Sequence, residues 1–212
     1  MQRSELEQWH TAEEMERLIH EFYETEPRDD AFARRIGLPK DISEEYVPLW
    51  KLVRHWPRVT GARLSLKLHG GADARIRFQS GDERSVQITL AGTSQQTYFN
   101  RQASLLPHPY FPYQKKTYDR RNRSLSSSGR VLQSPAGMVR SCVKATVETV
   151  QHKQNDHSGT HYLLVVYEPG SLPRRHRTAA ERGIRTQVRQ APQRQRFRKV
   201  FAVIGDVVKE LS

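Results

Sequence analysis

The chain of 212 residues has a single cysteine, Cys142, and no run of 18 apolar residues. A lone thiol can form neither an internal disulfide nor a cysteine zinc cage. The fold must therefore depend on its hydrophobic core, and we expect a reducing compartment, the cytoplasm. The absence of a long apolar run excludes a membrane-spanning helix. The opening residues MQRSELEQWH lack an apolar centre, so we expect no secretory signal.

The sequence also lacks the short motifs of several enzyme classes. It has no Gly-x-Ser-x-Gly elbow, no P-loop and no GxGxxG turn, which excludes the hydrolases and nucleotide-binding enzymes that depend on them. Its histidines are scattered without an HExxH pair, so we expect no zinc site. Cys142 falls on the apolar side of a predicted helix, where we expect a structural role and not a nucleophile.

Acidic residues are scarce in most of the chain. Residues 1–57 have a net charge of −5, whereas residues 58–212 have a net charge of +17. Arginine supplies most of the positive charge, and its planar fork suits phosphate, so the sequence predicts a nucleic-acid partner. A merely basic protein remains an alternative. The acidic head could cover the basic surface or bind a protein partner.

The first part of the chain is predicted to be helical. Thr11 and Glu14 form a capping-box pattern at the start of a helix over residues 11–24. A second helix is predicted over 29–36, ending at Gly37, and a third from an N-cap at Ser43 towards Trp56. We therefore divide the chain into an acidic helical segment, 1–42, and a basic α/β domain, 43–212.

Alternating apolar residues predict three strands, over 63–70, 73–79 and 85–91. They form an antiparallel meander with one solvent-facing side, on which Asp73, Gln87 and Thr89 lie. A helix after Ser134 and buried strands at 162–167 and 200–204 complete the pattern. We predict an α/β fold with a mixed sheet flanked by helices.

Two stretches concentrate the positive charge. Residues 92–133, predicted to be irregular, interleave aromatic with basic side chains, which suits single-stranded nucleic acid, although the aromatics could instead pin the loop to the body. Residues 173–199, predicted to be partly helical from Thr178 to Gln190, contain ten Lys/Arg and one acid and suit phosphate or form a solvated arm. The residues predicted to contact nucleic acid are Arg101, Lys115, Lys116, Arg120, Arg121, Arg123, Arg174, Arg175, Arg177, Arg182, Arg185 and Arg189.

The order of elements and polar residues over 43–168, extending to the strand at 200–204, resembles the PD-(D/E)XK, restriction-endonuclease-like superfamily. The resemblance implies that Asp73 is the first metal-binding acid and that Gln87 takes the place of the second. Thr89 then stands where the family has its lysine. Glu45, or Glu44, matches the acid that many members carry on the preceding helix. Polar residues on the following helix correspond to Gln151 or Lys153.

The resemblance implies a metal-dependent phosphodiesterase of a defence or mobile-element system, with Mg²⁺ between Asp73 and Gln87. Two residues depart from the motif of this superfamily. Gln87 can ligate Mg²⁺ but supplies no charge, and Thr89 cannot act as an ammonium group. Lys67 or Lys153 would then supply the missing cation. A non-catalytic nucleic-acid-binding protein on the same fold and an interaction protein for an acidic partner remain alternatives. Asp73 could also merely cap a turn after Gly70-Gly71.

Overall fold

Most of the chain folds around one mixed β-sheet in the computed structural model. The structure describes residues 1–25, 37–66, 72–91, 114–119, 124–130, 134–155, 160–167, 174–190 and 197–211. The strands are β1 (Val59–Leu64), β2 (Ala74–Phe78), β3 (Glu83–Leu90), β4 (Gln114–Asp119), β5 (Ser124–Arg130), β6 (Tyr162–Tyr167), β7 (Lys199–Ile204) and β8 (Val207–Glu210). The helices are α1 (Ala12–Thr25), α2 (Leu38–Lys40, Asp41–Tyr46 and Val47–His55 in one run), α3 (Pro135–Asn155) and α4 (Arg174–Gln190).

Six of the strands form the main sheet in the order β1-β2-β3-β6-β7-β8. The first three strands are antiparallel, as the alternation predicted. Strands β3, β6 and β7 are parallel to one another, and β8 returns antiparallel to β7. The prediction of an α/β fold with a mixed sheet and helices is confirmed.

Helix α1 begins as the capping box predicted. The Thr11 amide donates to the Glu14 carboxylate at 2.8 Å, and the Glu14 amide donates to the Thr11 hydroxyl oxygen at 3.3 Å. Met15 and Phe22 are fully buried against the sheet. A segment before it, Arg3–Glu7, forms a 3₁₀ turn whose Leu6 enters the same core.

Helix α2 begins earlier than predicted. Its first residue is Leu38, so the predicted N-cap at Ser43 is wrong. Ser43 lies inside the helix, where its hydroxyl donates to the carbonyl of Pro39 at 2.7 Å instead of capping a terminus. The predicted boundary between residues 42 and 43 therefore falls within this helix. The helix predicted over 29–36 lies outside the described residues.

One stretch of α2, Asp41–Tyr46, has π-helical geometry. At its end the Val47 amide donates to the carbonyl of Ile42, five residues back. Pro48 follows at once, and proline has no amide hydrogen and would press against the carbonyl of Glu44 in a regular helix. The wider turn gives this proline room inside the helix.

The sheet separates two hydrophobic clusters. One face packs against α1 and α2 through residues such as Leu49, Leu52, Ile76 and Leu164. The other face packs against α3 and α4 through a cluster that includes Val147 and Ile184 over β6 and β7. None of the helices in the described residues has the length and apolarity that a membrane span needs.

Several predicted boundaries change. Strand β1 starts at Val59, before the predicted position 63, and the end of the prediction beyond residue 66 lies outside the described residues. Helix α4 starts at Arg174, before the predicted Thr178. Residues 92–133 were predicted to be irregular, but β4 and β5 within them pair as an antiparallel hairpin. The prediction failed there because both strands are mostly polar and lack an apolar alternation.

Candidate functional site

The Asp73 carboxylate is fixed at the start of β2. One of its oxygens accepts a hydrogen bond from the Ile88 amide of β3 at 2.6 Å. Ala74 pairs with Val86, so the next position along each strand brings Asp73 beside Gln87. Thr89 lies two residues further along β3, on the same side of the strand as Gln87. The structure therefore brings Asp73 and Gln87 together, at the point where β2 stops pairing.

The π-helical stretch of α2 presents Glu45 to the same place. Burial raises the pKa of Glu45 to about 7, and the negative charge of Asp73 is the next largest cause. The charges of Asp41 and Glu44 act in the same direction, while that of Lys40 opposes them. Of the two glutamates left open by the sequence, Glu45 is therefore the one whose carboxyl group interacts with Asp73.

Its neighbours Asp41 and Glu44 are more deeply buried, at 4% and 6% exposed. The Asp41 carboxylate accepts a hydrogen bond from the Arg3 guanidinium at 2.5 Å, which ties the N-terminal segment to α2. Asp41 thus has an arginine as its ion-pair partner. Glu45 and Asp73 form the acidic pair of the candidate site.

Two lysines act on Asp73 from opposite helical layers. Burial raises the pKa of the Asp73 carboxyl, whereas the Ile88 amide and the charges of Lys153 and Lys40 lower it. Lys153, on α3, was one of the two lysines predicted to supply the missing cation; the other, Lys67, lies outside the described residues. Lys40 was not predicted to belong to the site. Lys40 precedes Ser43, where the sequence indicated the helix start. A helix start at Leu38 would have placed Lys40 on the same helix as Glu45.

Carboxylate and amide oxygens are the ligand types that Mg²⁺ prefers. Mg²⁺ is commonly held by one or two protein carboxylates together with water and substrate phosphates, so the carboxylates of Asp73 and Glu45 are of the type that it takes. Gln87 offers an amide oxygen, but it pairs with Leu163 of β6 and so lies on the α3 and α4 side of the sheet, whereas Glu45 lies on α2. The repulsion between the two carboxylates also suits Mg²⁺, because a cation between them would favour the ionised form of each. Among the described residues, no three histidine, cysteine or acidic side chains come together as a metal site.

The predicted phosphate contacts on α4 divide into two kinds. Arg177 pairs with Asp206, and Arg185 pairs with Glu181 at 3.6 Å and donates to the Glu210 carbonyl at 3.3 Å. These two arginines therefore hold α4 within the fold. The other arginines of the helix whose side chains the structure describes are exposed, and they are Arg175, Arg182 and Arg189.

The remaining predicted contacts are only partly covered. Lys115 and Lys116 lie in β4, and Arg174 begins α4. The others lie outside the described residues, and they are Arg101, Arg120, Arg121 and Arg123.

Cys142 is fully buried between α3 and the sheet. Burial raises the pKa of its thiol to about 12, so the reactive thiolate is suppressed. Its predicted place on the apolar side of the helix is confirmed.

Comparison with protein-family models, with curated proteins and with solved structures found no match for this chain. What the protein does is therefore inferred from its own side chains and their geometry.

Proposed function

We propose that the chain is a metal-dependent nuclease with a restriction-endonuclease-like fold. The observation that carries the proposal is the pairing of Glu45 with Asp73. Two half-buried carboxyl groups from separate elements lie within electrostatic range of each other, and the charge of Asp73 raises the pKa of Glu45. Such an arrangement costs stability, and unfavourable acid pairs concentrate at functional sites. The mixed sheet with helices on both faces agrees with the α/β class to which the proposed fold belongs.

Asp73 and Glu45 would hold Mg²⁺, which would supply a Lewis acid and lower the pKa of bound water. The protein's own contribution is to position the ligands and the substrate. The Ile88 amide fixes the Asp73 carboxylate, and α2 carries Glu45 within electrostatic range of it. Lys153 and Lys40 place positive charge where a phosphodiester would enter. In this proposal Lys153 replaces the ammonium group that Thr89 cannot provide.

A second candidate function is nucleic-acid binding without cleavage. It is favoured by Gln87 and Thr89, which replace a charged acid and a lysine of the motif that the chain resembles. Either function implies a nucleic-acid partner. A cytoplasmic location and a defence or mobile-element setting belong to the same proposal, and so does a protein partner for the acidic residues 1–42.

Cleavage of labelled DNA and RNA in Mg²⁺, Mn²⁺ or EDTA tests the proposal. We expect metal-dependent cleavage by the native chain and its loss in Asp73→Asn, which keeps an acceptor for the Ile88 amide. The matched control is Glu13→Gln on the exposed side of α1. Salt-sensitive binding without cleavage in any metal would favour the second candidate. Absence of binding at low salt, or binding of acidic proteins in its place, would contradict both.

A further inference from the structure

Three arginines cluster on the face of the meander that points away from the hydrophobic cluster beneath α1 and α2. Arg63 of β1 pairs directly with Arg75 of β2, and Arg77 lies two residues further along β2. Their neighbours along the strands, such as Ala74 and Ile76, are fully buried on the opposite face. We call Arg63, Arg75 and Arg77 the arginine surface. None of the three was among the residues predicted from the sequence to contact nucleic acid.

The arginine surface has an excess of positive charge. Like charges on directly opposite positions of antiparallel strands destabilise the pair. Within the described residues, Glu83 of β3 is the acid that forms ion pairs with it, at 2.9 Å from Arg77 and 3.8 Å from Arg75. One carboxylate among three guanidinium groups leaves the surface positive. The Arg75 and Arg77 side chains are 51% and 42% exposed, so an anion can reach them.

Trp9 organises this surface. The Arg77 guanidinium lies 4.0 Å from the centroid of the Trp9 ring, and that of Arg63 lies 5.0 Å from it. The ring is held in place because the adjacent His10 pairs with Ala62 of β1 through two backbone hydrogen bonds, of 3.0 and 2.9 Å. Cation–π contact restricts the guanidinium groups without neutralising them. Arg77 also donates to the Glu83 carboxylate at 2.9 Å, and the guanidinium donors not engaged there stay available for a ligand.

The arginine surface continues into the candidate site. Arg75 follows Asp73 by two residues, and this separation corresponds to about 6.6 Å along a strand. Arg75 also pairs with Ser85, which precedes Gln87 by two residues on β3. Arg75 therefore lies beside Asp73 and Gln87 along the same two strands.

We propose that the arginine surface binds the sugar-phosphate backbone of a nucleic acid next to the phosphate held at Asp73. The placement of the bound nucleic acid next to Asp73 rests on the proposed function. Binding of the sugar-phosphate backbone itself needs no cleavage. Guanidinium groups engage phosphate through paired N–H donors and are less strongly hydrated than ammonium groups. Excess positive charge beside an acidic site fits a ligand that brings many phosphates and neutralises the arginines along its length.

The test is binding of a fluorescently labelled oligonucleotide, single-stranded and duplex, in EDTA, with anisotropy measured across about 50–200 mM salt. Arg75→Gln is the main variant, because its exposed side chain can be replaced without disturbing the core. We expect roughly three- to tenfold weaker binding and a smaller salt dependence, by about one in the log–log slope. Glu83→Gln removes the competing carboxylate, and we expect tighter binding. Arg17→Gln, an exposed arginine of α1, is the matched control and should bind like the native chain.

Equal binding by Arg75→Gln and Arg17→Gln would overturn the arginine surface and leave the proposed nuclease function standing. No binding by the native chain, or displacement of the oligonucleotide by polyglutamate at equal charge, would overturn it as well. Weaker binding by Arg75→Gln would support the arginine surface. If cleavage survived in Asp73→Asn at the same time, the proposed active site would be contradicted while the arginine surface would stand.

Discussion

Glu45 on α2 and Asp73 at the start of β2 are half-buried carboxyl groups that lie within electrostatic range of each other. Burial and the charge of Asp73 raise the pKa of Glu45 to about 7. Burial raises the pKa of Asp73 as well, although the Ile88 amide, 2.6 Å from the Asp73 oxygen, and the charges of Lys153 and Lys40 oppose that rise. Glu45 is thus close to its titration point near neutral pH.

The first prediction concerns pH and stability. The pKa of Glu45 is about 7 in the folded chain and 4.5 in its ordinary state, so the folded chain holds this proton more tightly. The contribution of Glu45 to stability is therefore fully present below pH 4.5 and is lost as the pH rises through 7. Glu45→Gln removes this dependence. We expect it to raise the melting temperature at pH 8 by about 2–4 °C, and much less at pH 5.

Thermal unfolding between pH 5 and pH 8 measures this effect, with Glu13→Gln as the exposed control. A Glu45→Gln variant that melts lower than the native chain at pH 8 would mean that Glu45 has a stabilising partner.

The second prediction concerns the hydrogen bond to Ile88. Asp73→Ala leaves a half-buried amide without its acceptor, whereas Asp73→Asn offers a side-chain oxygen in the same position. We expect Asp73→Ala to lose about 1–3 kcal/mol of unfolding free energy relative to Asp73→Asn. Urea unfolding of both variants in EDTA measures the difference. Equal stabilities would show that this hydrogen bond contributes little to the fold.

The third prediction concerns Lys153. Its charge lowers the pKa of Asp73, and in the proposed site it stands in for the missing lysine. We expect Lys153→Gln to reduce the cleavage rate about tenfold or more without reducing stability. Lys144→Gln is the matched control, because Lys144 lies on the same helix and its side chain is 75% exposed. Similar rates for the two variants would remove Lys153 from the site.

The fourth prediction concerns the turn between β7 and β8. Gly205 has φ +66°, and a Cβ atom there would lie 2.5 Å from the Arg177 guanidinium carbon, which is held by Asp206. Gly205→Ala should therefore cost backbone strain and displace the Arg177 guanidinium from Asp206, about 1–3 kcal/mol together. Gly81→Ala shares the positive φ, +85°, but has open space around it. Chemical denaturation should show a clearly larger loss at Gly205 than at Gly81.

The meander and its site positions could be predicted because they depend on local alternation. Period-two patterns placed Ala74 and Val86 on the core face, and hence Asp73 and Gln87 together. The start of α2 was placed too late because Ser43 resembles an N-cap, although Pro39 in the first helical turn is itself typical of a helix start. Because of that error, Lys40 was not predicted to belong to the candidate site.

The arginine surface was missed for another reason. Arg63 and Arg75 lie opposite each other because of the register between β1 and β2. That register cannot be predicted from a single sequence. Trp9, which arranges these arginines, reaches them through the pairing of His10 with Ala62, a contact between distant parts of the chain.

The central claim is that Glu45 and Asp73 share one cation. The most direct measurement is the titration of the Glu45 carboxyl carbon by NMR, with and without millimolar Mg²⁺. Without the metal we expect its pKa near 7. With Mg²⁺ we expect this pKa to fall below about 6 in the native chain, and to fall much less in Asp73→Asn. A Glu45 pKa that Mg²⁺ leaves unchanged would contradict a shared metal site.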